Sequence, residues 1–296
     1  MTLEDKTYHT AVLLNESVDA LCIDANLTKK NGIYIDATLG GGGHTKLILS
    51  KLGENGKLIV FDQDNEAIKN APQDKRVISV NNNFRFIENY INYISKSGEI
   101  EGIIADLGVS SHQFDTDYRG FSYRFDAKLD MRMNSSSNIT AGEIIKNYSK
   151  EQLTKIFKEF GELDNGERVA KEIYNSKGKI ETTKELCECL NKFYTAQTER
   201  KFLGKVFQAL RIEVNSEMRA LKDLLSGSQN ILAKHGRIAI ISYHSLEDRI
   251  VKNFFKEAND SGVMKIITKK PILPKEEEIR KNGRSRSAKL RIAEKL

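Results

Sequence analysis

A chain of 296 residues, 39% of them hydrophobic, is long enough for one large or two modest domains, each with a buried core. Three cysteines, Cys22, Cys187 and Cys189, exclude a disulfide framework and a pair of metal-spaced cysteine motifs, and no apolar run reaches membrane-spanning length. The net charge of +6 is concentrated, because residues 265–296 hold eleven Lys/Arg against four Glu; this stretch points to an anionic partner such as nucleic acid, or to a solvated end. With the polar start "MTLEDKTYHT", the composition leads us to expect a soluble cytoplasmic protein with no metal site.

In chain order, "IYIDATL" at 33 predicts a first buried strand, with Asp36 near its C-terminal end. Gly40 to Gly43 then predict a tight turn, with a helix starting near His44. Glycines permit positive φ and close approach, and a helix N-terminus offers unpaired N–H groups; alone, the run fits either a nucleotide-like ligand or a turn with no ligand. "KLIVFDQD" at 57 predicts a second strand, and Asp62 at its end stands where doubly wound domains place a ribose-binding acid, with Asp64 as competitor. A dinucleotide fingerprint wants a third small residue where Thr45 stands, which weakens a dehydrogenase reading. S-adenosylmethionine carries adenosine without a pyrophosphate and suits a glycine loop flanked by acids.

"VISVNNNF" at 77 and "GIIADLGV" at 102 predict the third and fourth strands, the latter bringing Asp106 to its C-terminal end. Residues 114–139, rich in Asp, Arg, Ser and aromatics without a clean period, read as a long functional loop. From about 140 to 205 the pattern is polar and helical, with capping boxes at Ser149/Gln152 and Thr182/Glu185. "RIAIISYH" at 237, "MKIITKK" at 264 and "KLRIAEKL" at 289 complete seven strands. Alternating strands and helices predict an α/β fold. Residues 1–113 and 206–296 form its sheet domain, and 114–205 an inserted loop plus helical domain.

"YHTAVLLNE" at 8, "DATLGGGGHT" at 36, "ADLGVSSHQFD" at 105, "RGFSYRFDAKLDMRM" at 119, "FQALRIEVNSE" at 207, "ISYHSLEDRIVK" at 241 and "GRSRSAKLRIAEK" at 283 follow one another in an order that resembles the ribosomal RNA small subunit methyltransferase H family. The resemblance implies a class I, Rossmann-like methyltransferase sheet with an inserted helical domain. It also implies S-adenosylmethionine as cofactor, and methylation of N4 of a cytosine in the decoding region of small-subunit (16S) ribosomal RNA, free or in the subunit. Gly42, Gly43 and His44 match the family's Gly-Gly-His turn, Asp62 its ribose acid, Phe84 the aromatic after the third strand, Asp106 the acid ending the fourth, and Gln113 the glutamine beyond. On residue type alone Phe84 also fits a plain core position, Asp106 a turn acid, and His44 a turn cap. His112 stands where many relatives carry Pro, and Ala11 where Pro or another small residue is common.

The cytosine amine lone pair is delocalised, so attack on a sulfonium methyl needs a hydrogen-bond acceptor, positioning and an unstacked base. "DLGV" after the fourth strand keeps the acid, Asp106, and lacks the usual stacking aromatic. Tyr243, beside His244, is the first choice to grip the base, with Phe121 and Tyr123 as alternatives; ordinary strand-end packing is the competing account. "HSLED" predicts a helix start with Ser245 capping toward Asp248. Arg211 and Glu217 are expected to pair, with Asn215 nearby of less clear role, and His9 to reach the cofactor mouth. Arg284 and Arg286, on a Ser-flanked loop, are the candidates for contact with RNA.

Overall fold

The computed structural model describes residues 11–94 and 99–296; His9 lies outside them. All seven predicted strands form: β1 Ile33–Asp36, β2 Lys57–Phe61, β3 Val77–Val80, β4 Ile100–Asp106, β5 Leu232–Ser242, β6 Met264–Ile266 and β7 Lys289–Lys295. They make one sheet in the order β3-β2-β1-β4-β5-β7-β6. β1 to β5 pair in parallel, while β7 runs antiparallel between β5 and β6. This reversed seventh strand separates the fold from the sheet of dinucleotide-binding domains and agrees with the sheet that the resemblance implies.

The strands read as unbroken apolar runs because both faces of the sheet are covered. Ile35, Ile59, Phe61, Ile103, Ala105, Ile238 and Ile240 enter one core. Their neighbours Tyr34, Leu58, Val60, Ile104, Ala239 and Ile241 enter the other. The period of two thus splits the central strands between two cores.

The described residues divide into two compact units, one up to Gly108 and again from Met218 onward, the other Val109–Glu217. The second unit is helical, with helices Ala141–Asn147, Lys150–Glu159, Gly166–Ser176, Thr183–Leu190 and Glu199–Asn215. Both predicted capping boxes are present, and Thr140 with Glu143 makes another. Helix Glu199–Asn215 continues past residue 205 because Val206, Phe207, Leu210 and Val214 extend its apolar stripe into this unit's own core. The irregular segment 114–139 sends Phe121, Leu129, Met131 and Met133 into the same core, so it is anchored along its length. Arg211 and Glu217 pair in a bidentate way, Nε and Nη2 of one guanidinium edge donating to Oε1 and Oε2 at 2.8 and 2.9 Å. Asn215 holds the 131–133 backbone, its Nδ2 donating to Met131 O at 2.8 Å and its Oδ1 accepting from Met133 N–H at 2.7 Å.

Candidate functional site

The C-terminal ends of β1, β2 and β4 place Asp36, Asp62 and Asp106 side by side in the sheet order, the end at which such folds bind ligands. Their surroundings give the three acids different work. Asp36 is buried and committed to structure: Oδ2 accepts from Thr45 Oγ1 at 2.6 Å and Oδ1 from Thr38 N–H at 3.1 Å. Thr45, which displaces the small residue of a dinucleotide fingerprint, thereby ties the first helical turn to β1.

Asp62 closes the glycine turn, with Oδ2 accepting from Gly40 N–H at 2.9 Å and Oδ1 from Asp64 N–H at 2.9 Å. Burial pushes its carboxyl up to about 6; the nearby Asp64 and Asp36 push the same way, and the two backbone donors oppose them. Each oxygen retains a lone pair for a further donor such as a hydroxyl.

The Asp106 carboxylate accepts a single hydrogen bond among the described residues. Tyr243 donates its hydroxyl hydrogen to Oδ1 at 2.7 Å, and the Asp106 N–H bonds Thr38 Oγ1 at 2.7 Å. Burial again raises the carboxyl to about 6, against the pull of His44 and the Tyr243 hydroxyl. The Tyr243 phenol is itself held well above its ordinary value, chiefly by burial and then by the Asp106 charge, so it remains a donor.

The four glycines are bare for more than one reason. Gly40 and Gly42 have φ of 48° and 76°, a region that side chains resist. Gly43 has no such need; a Cβ there would stand 2.7 Å from the Ala11 Cβ, so at this position the side chain is cleared for a neighbouring stretch of the chain, not for a ligand. Helix Gly43–Lys51 starts as expected, with Gly42 at its N-cap. His44 is buried in its first turn and donates from Nε2 to Val12 O at 3.2 Å.

Beyond β5 the predicted cap is corrected. Helix Ser245–Asp260 is capped by His244, not Ser245, in a box closed by Glu247. Glu247 is buried, and its Oε2 accepts from Tyr243 N–H at 2.8 Å and His244 N–H at 3.4 Å. His244 Nδ1 accepts from Glu247 N–H at 3.5 Å, which leaves the ring proton on Nε2. That Nε2 is buried without a hydrogen bond among the described residues; Glu247 Oε1 is 3.3 Å away but poorly aligned. Asp248, freed of the capping role, instead binds Arg291 at 2.6 Å and Lys289 at 3.1 Å. The sequence offered one signal for Glu247: it lies three residues after His244 at a helix start.

Other predicted residues fall as follows. Phe84 is half-buried, opens a short turn capped by Asn83, and packs against the core that holds Ile59 and Phe61. Gln113 belongs to the helical unit, buried, its Oε1 accepting from Ser110 N–H at 3.1 Å. Phe121 is 4% exposed within that unit's core, and Tyr123 packs edge-on to Phe207 at 5.7 Å, so Phe121 has no free face for a base. Arg286 is exposed and Arg284 half-buried in the turn Gly283–Ser287. The basic stretch is partly neutralised inside the protein, since Lys289 and Arg291 are bound by Asp248.

Two half-buried carboxylates with raised values, Asp62 and Asp106, beside the buried Asp36 favour a ligand carrying positive charge, which would relieve their mutual repulsion. S-adenosylmethionine, with its sulfonium and α-ammonium groups, fits this donor set, and its ribose hydroxyls fit the remaining lone pairs of Asp62.

The MraW methylase family matches this chain over residues 6–296. The chain is 46% identical over 310 residues to the Ribosomal RNA small subunit methyltransferase H of Parabacteroides distasonis, covering 100% of each. To the protein of that name from Bacteroides fragilis it is 47% identical over 309 residues, again covering 100% of each. To that from Flavobacterium johnsoniae it is 46% identical over 303 residues, covering 98% of each.

Proposed function

The chain belongs to the MraW methylase family, and from that premise we propose that it is an S-adenosylmethionine-dependent methyltransferase acting on the N4 amine of a cytosine in the decoding region of 16S ribosomal RNA, in the cytoplasm. The observation that carries the reading is the half-buried Asp106–Tyr243 pair at the C-terminal edge of a sheet with a reversed seventh strand.

The bound cofactor supplies a sulfonium methyl to which the amine nitrogen bonds, while the C–S electron pair leaves with sulfur. Gly42, Gly43 and His44 would shape the backbone against which the cofactor lies, Asp62 would accept from its ribose hydroxyls, and Phe84 would cover its adenine. Asp106 accepts a hydrogen bond from the target amine and then its proton, at Oδ2, because Oδ1 already holds the Tyr243 hydroxyl. A carboxylate near 6 is basic enough, because the newly methylated amine carries positive charge and is strongly acidic. Tyr243, with its phenol tied to Asp106, acts here as the orienter of that base and presents its ring beside it, while His244 caps the helix that follows and so fixes the strand end that carries Tyr243. Residues 114–205 and the Arg284/Arg286 turn are the proposed RNA-recognising parts.

Labelled methyl transfer to small ribosomal subunits and to protein-free RNA, followed by nucleoside analysis, tests the reading. N4-methylcytidine is the expected product, and its absence under every condition would overturn the substrate assignment.

A further inference from the structure

Away from the carboxylate bed, the outer edge of the sheet carries a second concentration of charge, of opposite sign. A concavity of about 140 Å³ is lined by Lys252, Phe255 and Lys256 of helix Ser245–Asp260, by Ile266 of β6, by Thr268 and Lys269 just beyond, and by Arg291 of β7. β6 is an edge strand, so the hollow opens at the margin of the sheet.

The cations here are of two kinds. Arg291 is built in: it is 9% exposed, and Asp248 fixes its Nε at 2.6 Å. Its two Nη groups make no hydrogen bond among the described residues. Thr268 Oγ1 accepts from Ile292 N–H at 2.9 Å, which leaves the hydroxyl proton for a further acceptor. Around this fixed pair stand Lys252, Lys256 and Lys269, all exposed, and among the described residues none of the three has an ion-pair partner. The lining contains no carboxylate. Like charges converging on one hollow repel one another, and an anion with several oxygens removes that penalty. A planar guanidinium beside a hydroxyl and mobile ammonium groups is the donor set that suits a phosphate.

We propose that this groove holds the phosphodiester backbone of the RNA substrate next to the target base. The proposal rests on the RNA-methylation reading and adds the path of the strand. Register supports it: Lys289 of β7 pairs with Ser242, the residue before Tyr243, and Arg291 lies two residues further along β7, about 7 Å away. A strand whose base reaches the Asp106–Tyr243 pair is therefore within a short span of the groove. A membrane surface suits the site less well, because the exposed lysines are not interleaved with exposed large apolar side chains.

The test is the triple variant Lys252→Glu, Lys256→Glu, Lys269→Glu, with the triple Lys→Gln variant as a milder companion. All three positions are exposed, so the melting temperature and the S-adenosylmethionine affinity should be unchanged. RNA affinity at low salt should fall at least tenfold, and the slope of log K against log salt should shrink by about 2, from three lost contacts to a single strand. Methyl transfer should show a raised KM for RNA with little change in kcat. Wild-type RNA affinity and salt slope in both variants, in a protein whose wild type methylates RNA, would overturn the groove alone. A wild type that binds RNA but methylates none fails the functional reading and leaves the groove to be judged on the salt slopes. In a second arm, RNA should protect the three lysines from acylation while inorganic phosphate at equal phosphate concentration should not; equal protection by both would overturn the RNA assignment.

Discussion

The two units treat buried polar groups differently. In the helical unit they serve the backbone: Arg119 Nη2 donates to the carbonyls of Arg132 and Met133 at 3.0 and 3.1 Å, Thr183 Oγ1 accepts from Ala127 N–H at 3.0 Å, and Gln113 closes a capping box. In the sheet unit Asp62 and Asp106 are half-buried, and loss of solvent raises their carboxyls to about 6, a cost that folding alone does not require. A polar group that costs stability where it sits marks the part of the molecule shaped for a ligand. The same contrast separates two acids at equivalent strand ends, because Asp36 is fully engaged by Thr45 and Thr38 whereas Asp106 keeps one oxygen open.

Asp106→Asn should give the largest effect and tests the contrast most directly. Methyl transfer should fall by roughly 10²- to 10⁴-fold with the melting temperature unchanged or raised, since a poorly solvated charge is removed. A fall in stability with activity retained would reverse the assignment of roles. In the helical unit the opposite pattern is expected: Phe157, fully buried, should cost about 3–5 kcal/mol on Phe157→Ala, read by denaturant unfolding, while cofactor affinity measured by calorimetry holds.

Tyr243→Phe sharpens the comparison. Losing the hydroxyl that donates to Asp106 removes a contribution that lowers the carboxyl, so the Asp106 value should rise above about 6. In the wild type, the native state holds the Asp106 proton more tightly than the unfolded chain. Asp106 therefore subtracts stability as pH rises from the ordinary carboxylate range toward 6, and rate falls as pH drops through about 6. The variant's rate profile should move to higher pH, with most activity recovered in alkaline buffer; an unshifted profile would remove Tyr243 from the role of orienter. The smallest effects belong to the caps: Ser149→Ala and Thr182→Ala should each cost about 1 kcal/mol in unfolding experiments and leave cofactor affinity alone.

The sheet was legible because each strand is a run of aliphatic residues bounded by turn signals, and two capping boxes were legible because Ser and Thr are their usual first members. The cap at His244 was not, since an imidazole nitrogen replaces the hydroxyl and the neighbouring Ser245 offered a plausible decoy. Phe121 was kept as an alternative to Tyr243 because an aromatic in an irregular segment gives no periodic sign of whether it points to a core, as it does. Gly40, Gly42 and Gly43 look alike in a string, yet two answer to φ and one to Ala11, a neighbour from a separate segment. The basic stretch overstated the free charge, because the acid that binds Lys289 and Arg291 lies 41 and 43 residues earlier.

The placement of β7 between β5 and β6 has a kinetic consequence. Lys289 meets Ser242 only after 47 further residues have been made, and until then β5 presents an open edge and the three-residue β6 has no partner in the sheet. At roughly 5–20 residues per second during synthesis, that edge stays unpaired for some 2–9 s. Through that interval the nascent protein exposes a long apolar strand edge of the kind that seeds aggregation, and its protection depends on how quickly the last strand arrives.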